Sequence, residues 1–279
     1  MKIRALSFFV LFLFILSFHN PTIASNIKLY LPMTYPGSIG YFLLPNYSRN
    51  TKIIVGVNGK KYEFPVVFKK AYFAIPYGAK GTVAVSLKEG EKNLFLKLIP
   101  VKEKKYRISR IWVKERKLTK KLIERIKKES TLLRKTLTSV TSKKFRENRF
   151  YSPLKKLTIT TPFGAKRIIN GKKRSIHWGI DLKAPLGTPV FASLSGRVVL
   201  ARDFYYTGNT IVIDHGLGIY TLYAHLSKIL VKEGQIVQAG QKIGKVGSTG
   251  RSTGPHLHFG IYVNGIKVDP ILAFNLRSL

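Results

Sequence analysis

Apolar positions in this chain follow two rhythms. From Asn26 to about Pro100 they come in short runs, Ile27–Leu31, Tyr41–Leu44, Lys52–Val57, Phe64–Phe68 and Val83–Leu87, separated by turn signals such as Pro36-Gly37-Ser38 and Asn58-Gly59-Lys60. Asn-Gly between two apolar runs marks a tight hairpin, because both residues tolerate positive φ. This pattern predicts a small β-sandwich domain over residues 26–105. It holds no histidine and few acids, which suits binding or positioning a neighbour better than chemistry. Between Leu118 and Leu137 the rhythm changes: Leu118, Leu122, Ile123, Ile126, Leu133 and Leu137 recur at three- to five-residue steps with Lys, Arg and Glu between them. That spacing predicts an amphipathic helix with a basic outer face, N-capped by Thr119, inside a basic helical linker over residues 106–150. We read it as a connector packed on a flanking domain; a membrane-surface helix is the alternative. From about Leu157 onward, β-branched runs alternate with glycine-rich turns, as in Gly196–Leu200, Asn209–Ile213 and Gly218–Leu222. With no helical period between them, they predict an all-β domain over residues 151–279, an antiparallel sheet with long loops that would carry specificity.

Composition narrows the chemistry. No cysteine is present, which excludes disulfides, thiolate nucleophiles and sulfur-ligated metals, so any metal must be held by nitrogen and oxygen. Lys2 and Arg4 precede an apolar run from Ala5 to Phe18, and Thr22 and Ala24 offer small residues for cleavage, so residues 1–25 read as an export signal. An uncleaved anchor is the alternative; either way the bulk of the chain is expected outside the cytoplasmic membrane, periplasmic or envelope-associated. The net charge of +36 predicts attraction to polyanions, and more than half of the Lys and Arg fall between Val101 and Arg174. Export argues against nucleic acid and for electrostatic contact with an anionic envelope surface.

Five of the six histidines lie between His177 and His258. His256-Leu257-His258 opens a predicted strand, where alternate residues share a face, so both imidazoles point one way and Leu257 into the core. His177-Trp178-Gly179-Ile180-Asp181 adds an imidazole and a carboxylate on one face if extended, and Tyr223-Ala224-His225-Leu226 a further imidazole. Hydrolytic zinc takes three protein ligands and leaves a fourth position open; one histidine from each of the first two motifs plus Asp181 meets that count.

The stretch from about Thr161 to Pro270 resembles the lysostaphin-like M23 metallopeptidases. The resemblance rests on Pro162-Phe163-Gly164, His177-x-Gly179-x-Asp181, Gly208-Asn209 through Asp214-His215-Gly216, Tyr223-x-His225-Leu226, and Gly247-x-Thr249-Gly250 through Gly254-Pro255-His256-Leu257-His258, in that order. The β-rich segment before it is similar to the N-terminal domain of some exported members. The resemblance implies one zinc ion held by His177, Asp181 and His258, with His225 and His256 flanking the open position to handle protons and steady the oxyanion. It also implies an endopeptidase that cuts the peptide of peptidoglycan, with His215 structural. Some relatives have lost ligands and serve only to activate other wall enzymes; the complete ligand set here argues against that reading. A lipoyl- or biotinyl-like module over residues 196–247 lacks the exposed lysine hairpin it needs. The segment Lys166–Arg174 is expected to be a loop that closes over the groove, recognises carboxylates of a stem peptide, or is simply mobile and solvated.

Overall fold

The computed structural model describes residues 26–112, 118–143 and 149–276; the expected export signal over residues 1–25 lies outside them. The N-terminal region holds two antiparallel sheets. The first has the order β1 (Lys28–Tyr30), β2 (Ile39–Leu43), β5 (Lys70–Ala74), and the second has the order β4 (Lys60–Pro65), β3 (Thr51–Val57), β6 (Thr82–Glu89), β7 (Lys92–Pro100). They face each other through rings: Phe42 meets Phe95 edge-on at 5.2 Å and Phe64 meets Phe73 at 6.5 Å. Asn58 and Gly59 both take positive φ, 51° and 72°, as the hairpin between β3 and β4 requires. Strands β5 and β7 are not among the expected runs, although Gly90, at φ 55°, turns β6 into β7.

Beyond these sheets lies a short strand β8 (Ile108–Ile111), then α1 (Lys120–Thr138), whose first turn is capped as expected: Leu122 N–H donates to Thr119 Oγ1 at 3.3 Å. The C-terminal region is built on an antiparallel sheet of eight strands, in the order β18 (Ile236–Val237), β14 (Gly196–Phe204), β15 (Gly208–Asp214), β16 (Ile219–Leu226), β20 (His256–Val263), β12 (Ile180–Lys183), β9 (Ile159–Thr161), with β21 (Ile266–Val268) hairpinned onto β20. A smaller sheet of β13 (Pro189–Phe191), β19 (Lys242–Lys245) and β17 (Lys228–Ile229) sits nearby, and a short helix α2 (Pro270–Phe274) follows. The mostly β architecture matches the expected class.

Alternation divides the large sheet into two faces. Ile211, Ile213, Tyr223, Leu257, Phe259 and Ile261 point into a core continuous with the N-terminal sheets. Val212, Tyr220, Leu222, Ala224 and Tyr262 point the other way and meet Leu133 and Leu137 of α1. The helix therefore packs on the sheet, as a connector should, and it packs on the face that carries the site described below.

Residues Lys166–Arg174 are not a loop. They include β10 (Lys166–Ile169) and the start of β11 (Lys173–Ile176), an antiparallel hairpin turning at Asn170-Gly171 with φ of 51° and 72°. β8 pairs with β10 in parallel, so a strand from the linker holds this hairpin in place. The physical reason is again Asn-Gly chemistry; the basic residues around the turn obscured it. Tyr77 from the N-terminal region packs on Trp178 at 5.2 Å and on Tyr106 at 4.6 Å, and Lys104 pairs with Asp269. No described helix is long and apolar enough to cross a membrane.

Candidate metal centre

Strand register assembles most of the site. Asp181 on β12 lies directly opposite His258 on β20, and Ala224 on β16 lies opposite the same His258 from the other side. Directly opposed residues share a face, so Asp181, His258 and its alternate neighbour His256 all face the groove, while Leu257 is fully buried behind them.

His177 lies outside a strand and is gripped by the Pro-Phe-Gly segment. Its N–H donates to Ala165 O at 2.9 Å, its carbonyl accepts from Gly164 N–H at 2.8 Å, and its Nδ1 lies 3.0 Å from Pro162 O. Gly179 makes the approach to β20 possible: a Cβ there would stand 2.4 Å from Phe259 O and 2.9 Å from the His258 ring.

His225 is the exception to simple alternation. Ala224 already faces the groove, so a regular strand would turn His225 to the core. Instead His225 takes φ +62°, uncommon for a residue other than glycine. That left-handed residue swings the imidazole onto the groove side, where its ring centroid is 4.8 Å from that of His256 and 6.2 Å from that of His258. Its Nδ1 is 2.8 Å from Thr249 O, which leaves Nε2 for the groove. His256 is held the same way, Nδ1 to Gly254 O at 2.8 Å, with its Nε2 3.8 Å from Asp181 Oδ1.

His177, Asp181 and His258 each offer one ligand atom, all within 4.8 Å of one another. His177 Nε2 is 2.8 Å from Asp181 Oδ1 and 2.9 Å from His258 Nδ1, and His258 Nδ1 is 2.9 Å from the same carboxylate oxygen. Burial pushes the His177 imidazole down to about 4, against the pull of Asp181, so it is neutral at ordinary pH. A neutral imidazole has one N–H, yet His177 stands between two acceptors, Pro162 O and Asp181 Oδ1. If the proton goes to Pro162, a lone pair on Nε2 faces the carboxylate, the arrangement a cation at Nε2 resolves. The all-nitrogen-and-oxygen set of two histidines and one aspartate is likewise that of a divalent-metal site. Arg167 on β10 donates from its guanidinium to Asp181 Oδ2 at 2.5 Å, so one oxygen of the carboxylate is clamped while the other faces the imidazoles.

His225 is also neutral; burial lowers its imidazole to about 4, and neighbouring His258 adds to the effect. His215 lies outside the cluster. It is buried at the end of β15, its Nδ1 2.8 Å from Ser195 O and its Nε2 2.7 Å from Thr221 Oγ1, a structural placement. Sequence reading missed Arg167 as a partner of Asp181 and Thr249 as the anchor of His225. The first was hidden in a basic run and the second is a backbone contact, for which no side-chain signal exists.

Residues 175–270 match the model of peptidase family M23. Peptidoglycan DD-endopeptidase ShyA of Vibrio cholerae is 48% identical over 119 residues, 42% of this chain and 28% of that protein. DD-carboxypeptidase/endopeptidase Mpg of Neisseria meningitidis serogroup B is 45% identical over 119 residues, 43% of this chain and 27% of that protein. The matches thus span between a quarter and a third of these curated relatives' length. A crystal structure from Pseudomonas aeruginosa assigned to peptidase M23 is 27% identical and superposes with a TM-score of 0.65, covering 88% of this chain and 96% of that one. The likeness therefore extends past the metal centre into the N-terminal sheets, and residues 175–270 of this chain are a peptidase family M23 domain.

Proposed function

We propose that the chain is an exported zinc metalloendopeptidase that hydrolyses peptide bonds in peptidoglycan, at direct cross-links between stem peptides. The observation that carries the reading is the convergence of His177, Asp181 and His258 with two further imidazoles in one open groove. The named activities of the relatives, a peptidoglycan DD-endopeptidase among them, point the same way.

His177 Nε2, Asp181 Oδ1 and His258 Nδ1 would hold the zinc. When bound, zinc supplies Lewis-acid polarisation of the scissile carbonyl and lowers the pKa of water. His225, kept neutral by burial and fixed through Thr249 O, presents Nε2 where it can accept a proton from the attacking water. His256, fixed through Gly254 O, presents Nε2 beside it and can donate to the developing oxyanion or the leaving amine. Arg167 holds Asp181 Oδ2, so the ligating oxygen cannot rotate away. Electrostatic contact between the basic linker and an anionic envelope surface would bring the groove to its substrate.

Purified protein should contain one zinc per chain and release new termini from defined cross-linked muropeptides, identified by mass spectrometry. Stoichiometric zinc without cleavage of any muropeptide would remove the peptidase reading and leave a wall-binding one.

A further inference from the structure

The groove in front of the metal centre is about 1120 Å³, and the M23 domain does not form all of it. Leu133, Arg134, Leu137 and Thr138 of α1 line it together with His177, His225 and His256. The helix is pinned at both ends. Arg125 pairs with Asp203 at 2.8 Å, and Tyr205 N–H donates to Glu129 Oε2 at 2.8 Å. At the other end Ser139 Oγ meets Tyr220 Oη at 2.7 Å and Thr141 Oγ1 donates to Asp214 at 3.0 Å. Thr138 stands so close to the β20–β21 turn that a Cβ on Gly265 would lie 2.6 Å from its methyl group. Anchored this way, α1 is a fixed wall of the groove.

Charge around the groove is one-sided. Arg134 on the helix, Lys183 on β12, Lys267 on β21 and Arg251 in the loop before β20 all line it. Asp181 is the only carboxylate in its described lining, and it is engaged by Arg167 and the imidazoles. No ion pair joins Arg134, Lys183, Arg251 or Lys267 to an acid among the described residues, while Arg167, the other cation of the lining, is held by Asp181. Lys183 sits opposite His256 in the strand register, two residues along from Asp181. Lys267 is half-buried with its ammonium 5.3 Å from the centre of the Trp178 ring. Arg251 lies over the Tyr206 ring at 5.0 Å. These cations come from four separate segments, and what they share is the groove.

We propose that the groove selects peptides bearing free carboxylates, read by Arg134 of the linker helix with Lys183, Arg251 and Lys267, so that stems whose carboxyls are amidated are poor substrates. This rests on the peptidase reading above and specifies its substrate class. A charge-assisted hydrogen bond to a carboxylate is replaced by a weaker contact when the carboxylate becomes an amide.

The test uses the zinc-loaded chain and two synthetic cross-linked peptides that differ only in carrying carboxylates or carboxamides away from the scissile bond. The carboxylate peptide should have a kcat/KM about tenfold or more higher, the worth of one charge-assisted contact. Arg134→Gln should raise KM for that peptide, leave kcat and zinc content unchanged, and leave the amide peptide unaffected. Lys128→Gln, which removes a charge from the same helix outside the groove, should change nothing. Equal cleavage of both peptides by the unaltered chain, or equal loss with Lys128→Gln and Arg134→Gln, would overturn the proposal. If neither peptide is cleaved, the peptidase reading fails, and fluorescence anisotropy with labelled peptides decides this one: tighter, Arg134-dependent binding of the carboxylate form upholds it, and equal binding sinks it.

Discussion

The N-terminal sheets and the eight-stranded sheet bury aromatic and branched side chains alike; the polar groups they bury differ. Among the described residues before Pro100 the buried polar ones are Ser38, Thr51, Lys70 and Ser86. In the large sheet and its loops they include His177, Asp181, Asp214, His215 and His225. Burying an ionisable group is costly unless it is hydrogen-bonded or holds a metal. Asp214 and His215 are satisfied within the fold, by the Gly216 N–H and Thr141 and by Ser195 and Thr221. The cluster around Asp181 instead crowds two imidazoles onto one carboxylate oxygen at the edge of a groove. Burial thus marks both kinds of group, and the partner a side chain faces separates a structural histidine from a candidate metal ligand.

Removing a ligand puts this distinction under the greatest strain. His177→Ala, Asp181→Ala and His258→Ala should each take hydrolysis to background and lower zinc content by elemental analysis; full zinc with normal turnover in any of them refutes the ligand set. His225→Ala and His256→Ala should keep zinc and lose about 10²–10⁴-fold in kcat, as removal of a proton-transfer group does. Loss of zinc from His256→Ala would mean that the two histidines of the His-x-His pair have exchanged roles.

Core truncation in the other region should separate stability from chemistry. Phe42 is fully buried against Phe73 and Phe95, and Phe42→Ala should cost about 3–5 kcal/mol in denaturant unfolding. Zinc content well below the transition should not change; its loss would show that the N-terminal sheets govern the metal centre. Arg167→Gln removes the clamp on Asp181 and should weaken zinc retention against a chelator about 10–100-fold, the usual scale for a partner of a metal ligand. An unchanged chelator titration would make that ion pair incidental.

The last effect concerns His215 and is confined to stability at acid pH. Burial lowers its imidazole to about 4, so the unfolded chain binds a proton below about 6.5 that the folded chain refuses. Its contribution is complete above that pH and declines as pH falls towards 4, by up to about 1.4 kcal/mol per pH unit. The stability difference between the unaltered chain and His215→Gln should narrow over that window. A constant difference from neutral pH down to about pH 5 would rule this out.

Much of the site was legible because it is local. His256 and His258 share a face by strand alternation alone, the Asn58-Gly59 hairpin follows from two residues that accept positive φ, and Thr119 with the apolar spacing after it marks the helix. The residue types available for a metal, the absence of sulfur chemistry and the alternation that exposes the imidazoles are all properties of the chain before it folds. The remainder came from contacts between distant segments. Register between separate strands set Asp181 against His258, a left-handed backbone at His225 reversed the face its position in the strand would assign, and β8 reached across to brace the hairpin that carries Arg167. The same holds for α1: its amphipathic pattern says that one side is buried, but the sheet face it lands on, and hence the entry of Arg134 into the groove, depends on anchors more than sixty residues away in the chain. Periodicity encodes which side of an element is covered, and long-range packing supplies what covers it.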